Sequence, residues 1–418
     1  MDDVLVVGGG PAGLLSAWLA RQRGAKVRLV AAGIGSTHIM PGWLALSNAG
    51  DLPAGLAALA DSPGHPYALA GLDSLRAGIA ALQEVGEAAG LRYRGGLERN
   101  LRLPTALGAV LPAAYAPESF IAGDLNAGGP NAGGPNGGGP MLIAGPGGWR
   151  DFYPALVAGN LARQGFPAQS FAFDLPEIHA VKFDNLATGL ARLFDRAEVR
   201  ERVGKQIAVR LNGAGRVGLP AVLGLDAHPA AWQHLQELIG VPVFEIPTLP
   251  PSVPGIRLFN AFKVALGRAG VMPLFNMPVA RGLVDGRRVT GIAVTNVVRE
   301  TIYRGQSLIL ATGGLYGGGI TSDPAGALAE AVLGLPVHGG LPFDAWFGQA
   351  LLGTEHPIHR AGILVNREMQ PVDRAGEPLY ENARIAGRLV AGYGGVSEGS
   401  TEGAWLATAA RAVSSLLA

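Results

Sequence analysis

A chain of 418 residues with eight histidines and no cysteine commands few chemistries. Without thiols it has no disulfide framework, no thiolate nucleophile and no cysteine-ligated iron–sulfur cluster, so any such cluster in its electron path must sit on a partner. His356 and His359 stand three residues apart, but Pro357 argues against a regular helix and nothing nearby completes a ligand set. No metal is expected. The strongest chemical signal is a turn, Gly8-x-Gly10-x-x-Gly13, which directly follows an apolar strand and directly opens a helix. The first glycine permits the tight turn and the second lets backbone approach a phosphate. The third lets helix and strand pack closely. Free amides at the helix start, around Ala12 and Gly13, then face the anion with the positive end of the helix dipole behind them.

Such a unit usually carries an acid ~20 positions further on, where it holds the adenosine ribose of a dinucleotide. Here that slot is Ala31, followed by Ala32, with no carboxylate near. Two readings stay open on these residues: FAD whose ribose is held by other contacts, or a ligand without adenosine, FMN. Further along, Leu308-Ile309-Leu310 runs into Ala311-Thr312-Gly313-Gly314, the ATG turn common to two-dinucleotide-domain flavoproteins, so Thr312 and Gly313 are expected on the cofactor. Their second flavin motif is usually Ala-Gly followed by an acid; here Ala386-Gly387 is followed by Arg388. A cation there suits a terminal phosphate better than a ribityl hydroxyl, although a solvated arginine would look the same. Gly399 and Gly403 open the last helix, whose N-terminus would face the electron-rich edge of a flavin.

The elements that must position these residues read as α/β, a Rossmann-like flavin-binding domain with a central parallel sheet and an inserted α+β second domain. Val4–Val7 and Val27–Val30 are apolar runs suited to buried parallel strands, with Leu14, Leu15, Trp18 and Leu19 at helical spacing between them. From about Ser62 to Pro250 the pattern changes to scattered helices and short strands. The flavin domain is therefore expected over residues 1–61 and 250–418, and the inserted substrate or partner domain over 62–249. Helices are expected over Ser74–Ala89, Trp149–Gln164, Asn185–Arg196, Ile256–Arg268 and Gly403–Leu417, with a strand near Val271 and a hairpin turning at Asp285-Gly286. Residues 126–140, with Asn-x-Gly-Gly-Pro three times, have little to bury and should form a mobile loop. The 16% of charged residues, with a net charge of +1, contain no basic block that would suit nucleic acid. No apolar stretch reaches the ~20 residues of a membrane span. The N-terminus lacks a signal peptide's basic region and cleavage site. These features point to a cytoplasmic chain whose membrane contact is peripheral or through a partner.

Three segments carry a resemblance: Ser36-Thr37-His38-Ile39-Met40-Pro41-Gly42, His65-Pro66-Tyr67, and Thr248 to Leu258, TLPPSVPGIRL. With the glycine turn, the ATG strand and the C-terminal motif, they resemble the B subunit of bacterial anaerobic glycerol-3-phosphate dehydrogenase over nearly the whole chain. The resemblance fails in the Asn-Gly-Pro insertion and in parts of the inserted domain. It implies a flavoprotein with FMN, partnered by an FAD-bearing A subunit and an iron–sulfur C subunit at the membrane. That complex oxidises sn-glycerol 3-phosphate to dihydroxyacetone phosphate and passes electrons to quinone. Ala31 and the absence of cysteine agree with it, and FMN becomes the expected cofactor, with FAD as the alternative. The loop holding Ser36, Thr37 and Gly42 is expected to run over the flavin and touch it.

Oxidising a secondary alcohol with a flavin needs a hydride acceptor and a base for the hydroxyl proton, and a phosphorylated substrate needs cations. Arg257, near the seam where the inserted domain rejoins the first, is the expected anion contact. His38 is the expected base, flavin contact or orienting group; for both residues a purely structural role is the competing reading. His65, in His-Pro-Tyr, could simply shape a turn. Two other functions stay in view. One is an FMN-holding electron-transfer or assembly subunit without turnover of its own. The other is a stand-alone FAD oxidoreductase of the succinate dehydrogenase or fumarate reductase type, against which Ala31 weighs.

Overall fold

The computed structural model describes residues 1–127, 140–178, 186–295, 299–350 and 355–418. Most of the repetitive stretch at 126–140 lies outside them. The chain forms two compact units, one of Met1–Ser36, Ala45–Val85 and Ala261–Ala418, the other of Thr37–Leu44 and Gly86–Asn260. The excursion expected over 62–249 thus begins at Gly86, ends at Asn260, and takes residues 37–44 with it.

Strand β1 (Asp2–Val7) leads through the glycine turn into α1 (Pro11–Gln22) and returns as β2 (Val27–Val30). Leu14, Leu15, Ala17 and Ala20 of α1 are fully buried, as the apolar spacing requires. Then come α2 (Leu52–Asp61), capped by Asp51 on the Ala54 amide, α3 (Pro66–Ala70) and α4 (Leu72–Ala88). Residues 62–85 stay with the first unit because Tyr67 is fully buried there and its hydroxyl donates to the Leu46 carbonyl at 2.7 Å.

In the second unit four strands, β3 (Met141–Pro146), β4 (Ala168–Phe173), β5 (Arg216–Pro220) and β6 (Val243–Ile246), pair in parallel in the order β6-β5-β3-β4. Helices connect them: α5 (Pro154–Arg163), α6 (Ala187–Phe194), α7 (Ala197–Ala208) and α8 (Ala230–Ile239). Ile143, Val217, Leu219, Val243, Phe244 and Ile246 are fully buried between those helices. This is why the strands read as short continuous apolar runs rather than alternating ones. Two antiparallel pairs, Tyr93–Gly95 with Tyr115–Pro117 and Leu101–Pro104 with Val110–Ala113, complete the unit.

Helix α9 (Val253–Arg268) carries the chain back to the first unit. The stretch near Val271 is not a strand; Val271 N closes the end of α9 on Leu266 O at 2.8 Å, and Leu274 makes an isolated parallel bridge to Val30. Strands β7 (Val279–Asp285) and β8 (Arg288–Thr295) form the expected hairpin, with Gly286 at φ +55° in its turn. Strand β9 (Glu300–Leu310) is antiparallel to β8 in its first half; in its second it is parallel to β1 on one side and to β10 (Ala383–Ile385) on the other. The sheet runs β7-β8-β9-β1-β2, and α10 (Thr401–Leu416) closes the chain. The parallel strands β1, β9 and β10 thus end side by side, which gathers the turns that follow them.

Candidate functional site

Gly8 leaves β1 at φ +128°, a conformation that side chains avoid, and a Cβ there would stand 2.1 Å from the Ala311 carbonyl oxygen. A Cβ on Gly13 would stand 2.0 Å from the Gly8 carbonyl oxygen, so α1 can approach β1 only without it. The first intrahelical bond of α1 runs from Leu14 N to Gly10 O at 3.0 Å, which leaves the amides of Ala12 and Gly13 outside the ladder and available to an anion.

Two further turns meet this one. Ala311 N donates to Val7 O at 2.8 Å, and Gly313 follows at φ +80°. Between them the Thr312 hydroxyl is buried and has no partner among the described residues. After β10, Ala386 N donates to Leu310 O at 2.9 Å. Gly387, at φ +71°, lies so close to α1 that a Cβ would stand 2.7 Å from that of Ala12. Its amide donates to Thr408 Oγ1 of α10 at 2.9 Å. Three strand-end turns and one helix N-terminus thus share one place, with helix-start amides outside the ladder and an unpartnered hydroxyl.

The end of β2 differs from a dinucleotide site. Ala31 is buried and bonded to the 274–277 stretch through Leu274 O and Met277 N. The loop that follows folds onto the glycine turn: a Cβ on Gly9 would meet Gly33 O at 2.3 Å, and one on Gly35, at φ +65°, would meet Gly10 Cα at 2.3 Å. Ala31 and Ala32 stand at the end of β2, where a dinucleotide site usually carries its acid. The residues present fit a flavin phosphate at α1 and offer no acid for an adenosine.

The model of the FAD binding domain matches residues 3–403. The B subunit of the anaerobic glycerol-3-phosphate dehydrogenase of Pectobacterium carotovorum subsp. carotovorum is 28% identical, over 99% of this chain and 98% of its own. A protein of Halobacterium salinarum named as a probable B subunit of such an enzyme is 30% identical, over 97% and 96%. The chain belongs to the FAD-binding domain family, among the anaerobic glycerol-3-phosphate dehydrogenase B subunits. Among solved structures, the 3-ketosteroid Δ1-dehydrogenase of Sterolibacterium denitrificans is 11% identical, with a TM-score of 0.48 over 100% of this chain and 99% of that one.

Within this B-subunit chain, the residues singled out by sequence fall into two groups. Gly8, Gly10, Ala12, Gly13, Thr312, Gly313 and Gly387 line the gathered turns, and Ser36 is exposed just past Gly35. The others hold structure together. Thr37 is buried, with its carbonyl where a Cβ on Gly255 would stand 1.9 Å away. Gly42, at φ +93°, packs on Pro254, and its carbonyl accepts from the Tyr93 hydroxyl at 2.8 Å. Gly399 caps a single helical turn, Gly395–Glu398, at φ +65°. Gly403 makes room for Tyr67, whose hydroxyl oxygen would stand 1.7 Å from a Cβ there.

Arg257, the expected anion contact, has its donors engaged within the fold. Its guanidinium is buried and donates to both oxygens of Glu245, at 2.7 and 3.0 Å, and to the Gly224 carbonyl, at 2.9 and 2.6 Å. Its charge is paired with Glu245 inside the second unit. Burial favours the neutral acid at Glu245, yet Arg257 and the Ser119 hydroxyl hold that carboxyl below its usual range. Beside them His228, with Nε2 3.6 Å from Glu245, is pushed down to about 3 by burial and then by Arg257, and stays neutral. The TLPPSVPGIRL string is thus legible: Ser252 caps α9 on the Gly255 amide at 3.1 Å, Gly255 admits Thr37, Pro254 meets Gly42, and Arg257 anchors Glu245.

His38 has its ring edge-on to Phe259 at 5.0 Å; its Nε2 is buried without a partner among the described residues, and burial lowers its pKa. His65 is a cap, with Nδ1 accepting from Tyr67 N at 3.0 Å. Arg388 turns onto the Tyr393 ring, 4.9 Å from its centroid, and donates to Tyr393 O at 3.3 Å. Sequence reasoning missed Glu402, buried in the first turn of α10, where its carboxylate accepts from Ala45 N at 3.3 Å. Burial raises its pKa to about 7. The signal was an acid inside an otherwise small and apolar helix start.

Proposed function

We propose that this chain is the FMN-holding B subunit of a quinone-linked anaerobic glycerol-3-phosphate dehydrogenase. In that reading it oxidises sn-glycerol 3-phosphate to dihydroxyacetone phosphate, beside an FAD-bearing A subunit and an iron–sulfur C subunit at the inner face of the membrane. One observation carries the reading. The turns after β1, β9 and β10 meet at the N-terminus of α1, while Ala31 and Ala32 put no acid at the end of β2. The similarity to proteins named as that subunit supports it over nearly the full length.

Gly10, Ala12 and Gly13 would hold the flavin phosphate by backbone amides, with the α1 dipole favouring its charge. Thr312 would spend its unpartnered hydroxyl on the cofactor. His38, two residues beyond Ser36, keeps a buried ring nitrogen suited to a fixed contact. A bound flavin supplies the hydride acceptor. The test is to release the cofactor from purified protein and identify it by chromatography and mass. FMN is expected; FAD would overturn the mononucleotide reading, and absence of any flavin, alone or with partners, would overturn the function.

A further inference from the structure

Among the described residues no group of three or more metal-binding side chains gathers, around His356 and His359 or elsewhere. His359 nevertheless stands in an organised place. Its Nε2 lies 3.1 Å from the Tyr316 hydroxyl, and the two rings meet edge-on at 5.7 Å. Tyr316 belongs to the helical turn Leu315–Gly317, directly after Thr312, Gly313 and Gly314. That turn is folded back on the ATG corner: a Cβ on Gly317 would stand 3.1 Å from Thr312 O, and one on Gly319 2.0 Å from Gly313 O. A Cβ on Gly314 would stand 3.0 Å from Arg388 O. His359, Tyr316 and Arg388 are thus attached to two of the flavin-motif turns.

We propose that His359 is the general base of the substrate site, with Tyr316 as its orienting partner and Arg388 as the cation that holds the substrate's phosphate. This rests on the reading of the chain as an alcohol-oxidising flavoprotein. With Nε2–H donating to the Tyr316 oxygen, Nδ1 keeps its lone pair, and it has no hydrogen-bond partner among the described residues. The imidazole must be neutral to accept a proton. Burial, then Arg388, then His356 lower its pKa, against Glu355, which raises it. Glu355 is itself engaged by Arg360 at 2.6 Å, and Arg360 also bonds Glu398 at 3.1 Å. No carboxylate among the described residues pairs with Arg388, so its charge remains for an anion.

A bound flavin would supply the oxidant, taking the carbinol hydrogen with its electron pair. The O–H proton goes to His359 Nδ1, leaving a ketone. Once the ketone departs, Nδ1 returns the proton to water at this part-buried ring, restoring the tautomer that donates to Tyr316. His38 is less suited, because its Nε2 is sealed from water and cannot return a proton to it.

The test uses full-length, flavin-loaded protein. Inorganic phosphate is titrated while the ring resonances of 15N-labelled histidine are followed, so the readout does not depend on turnover. The pKa of His359 should rise as phosphate binds, and Arg388→Gln should weaken phosphate binding about tenfold or more, as loss of a charged hydrogen bond predicts. With partners and glycerol 3-phosphate, His359→Gln should lower kcat by about 10²–10⁴-fold with little change in KM and flavin content. Arg388→Gln should raise KM and move the acid limb of the pH profile upward, since a nearby cation has been lost. Tyr316→Phe should retain flavin and lower kcat less than His359→Gln. A His359 resonance indifferent to phosphate, or a His359→Gln enzyme within threefold of wild type, would overturn the assignment. A wild type that oxidises no alcohol although His359 senses phosphate would overturn the functional reading while leaving the anion site standing.

Discussion

Glu402 shows how much one side chain can hold in reserve. It is buried, receives one backbone hydrogen bond from Ala45, and titrates near 7. The folded chain keeps its proton to a higher pH than the unfolded chain does, so stability falls as pH rises from the ordinary glutamate range through about 7. The shift corresponds to about 3 kcal/mol of destabilisation above that window. Glu402→Gln should therefore raise the melting temperature at pH 8 and leave it nearly unchanged at pH 5. Equal effects at both would mean the carboxyl is already charged in the folded state. Arg257 makes the opposite point. Arg257→Met strands Glu245 as a buried uncompensated charge and should cost about 3–5 kcal/mol in urea unfolding. Adding Glu245→Gln should recover much of it, an outcome no substrate contact would produce. From sequence Arg257 looked free because its partner lies 12 residues earlier on another element, a pairing that no spacing rule reveals.

At the scale of elements, the flavin corner depends on missing side chains at the ends of parallel strands. Gly35 is the most exacting of those outside the Gly8–Gly13 motif, because it combines φ +65° with backbone 2.3 Å from where a Cβ would go. Gly35→Ala should lift the 33–36 loop from the glycine turn and weaken flavin binding roughly tenfold, since a strained left-handed residue costs about 1–3 kcal/mol. Fluorescence titration of the apoprotein with FMN measures it, and unchanged affinity would separate that loop from the cofactor. The glycine turn, the α1 stripe and the Asp285-Gly286 hairpin were legible because each is a local pattern of period or dipeptide. The strand expected near Val271 was not formed. Its residues bridge β2 through Leu274 instead, and periodicity over so few residues does not distinguish the two. The parallel order β6-β5-β3-β4 was equally hidden, because short apolar runs do not state which neighbours they choose.

For the molecule as a whole, no helix among the described residues is long and apolar enough to cross a membrane. With a net charge of +1 there is little bulk electrostatic pull toward anionic lipid. If the chain works as a B subunit, vesicle flotation should recover it only when its partner subunits are present; flotation of the isolated chain would indicate a direct lipid contact. By itself the sequence determined that a glycine turn between β1 and α1 leaves helix-start amides suited to a phosphate, that Ala31 and Ala32 rather than an acid end β2, and that thiol chemistry is absent. These depend on residue type and close spacing, where the chain constrains its own geometry. Only the tertiary structure decided that Arg257 is paired with Glu245, that the excursion into the second unit starts at Gly86, and that Tyr316, His359 and Arg388 belong together. Those three are brought to one place by the folding back of the Thr312–Gly319 corner and the pairing of β10 with β9. Contacts between residues so far apart in sequence leave no periodic trace in it.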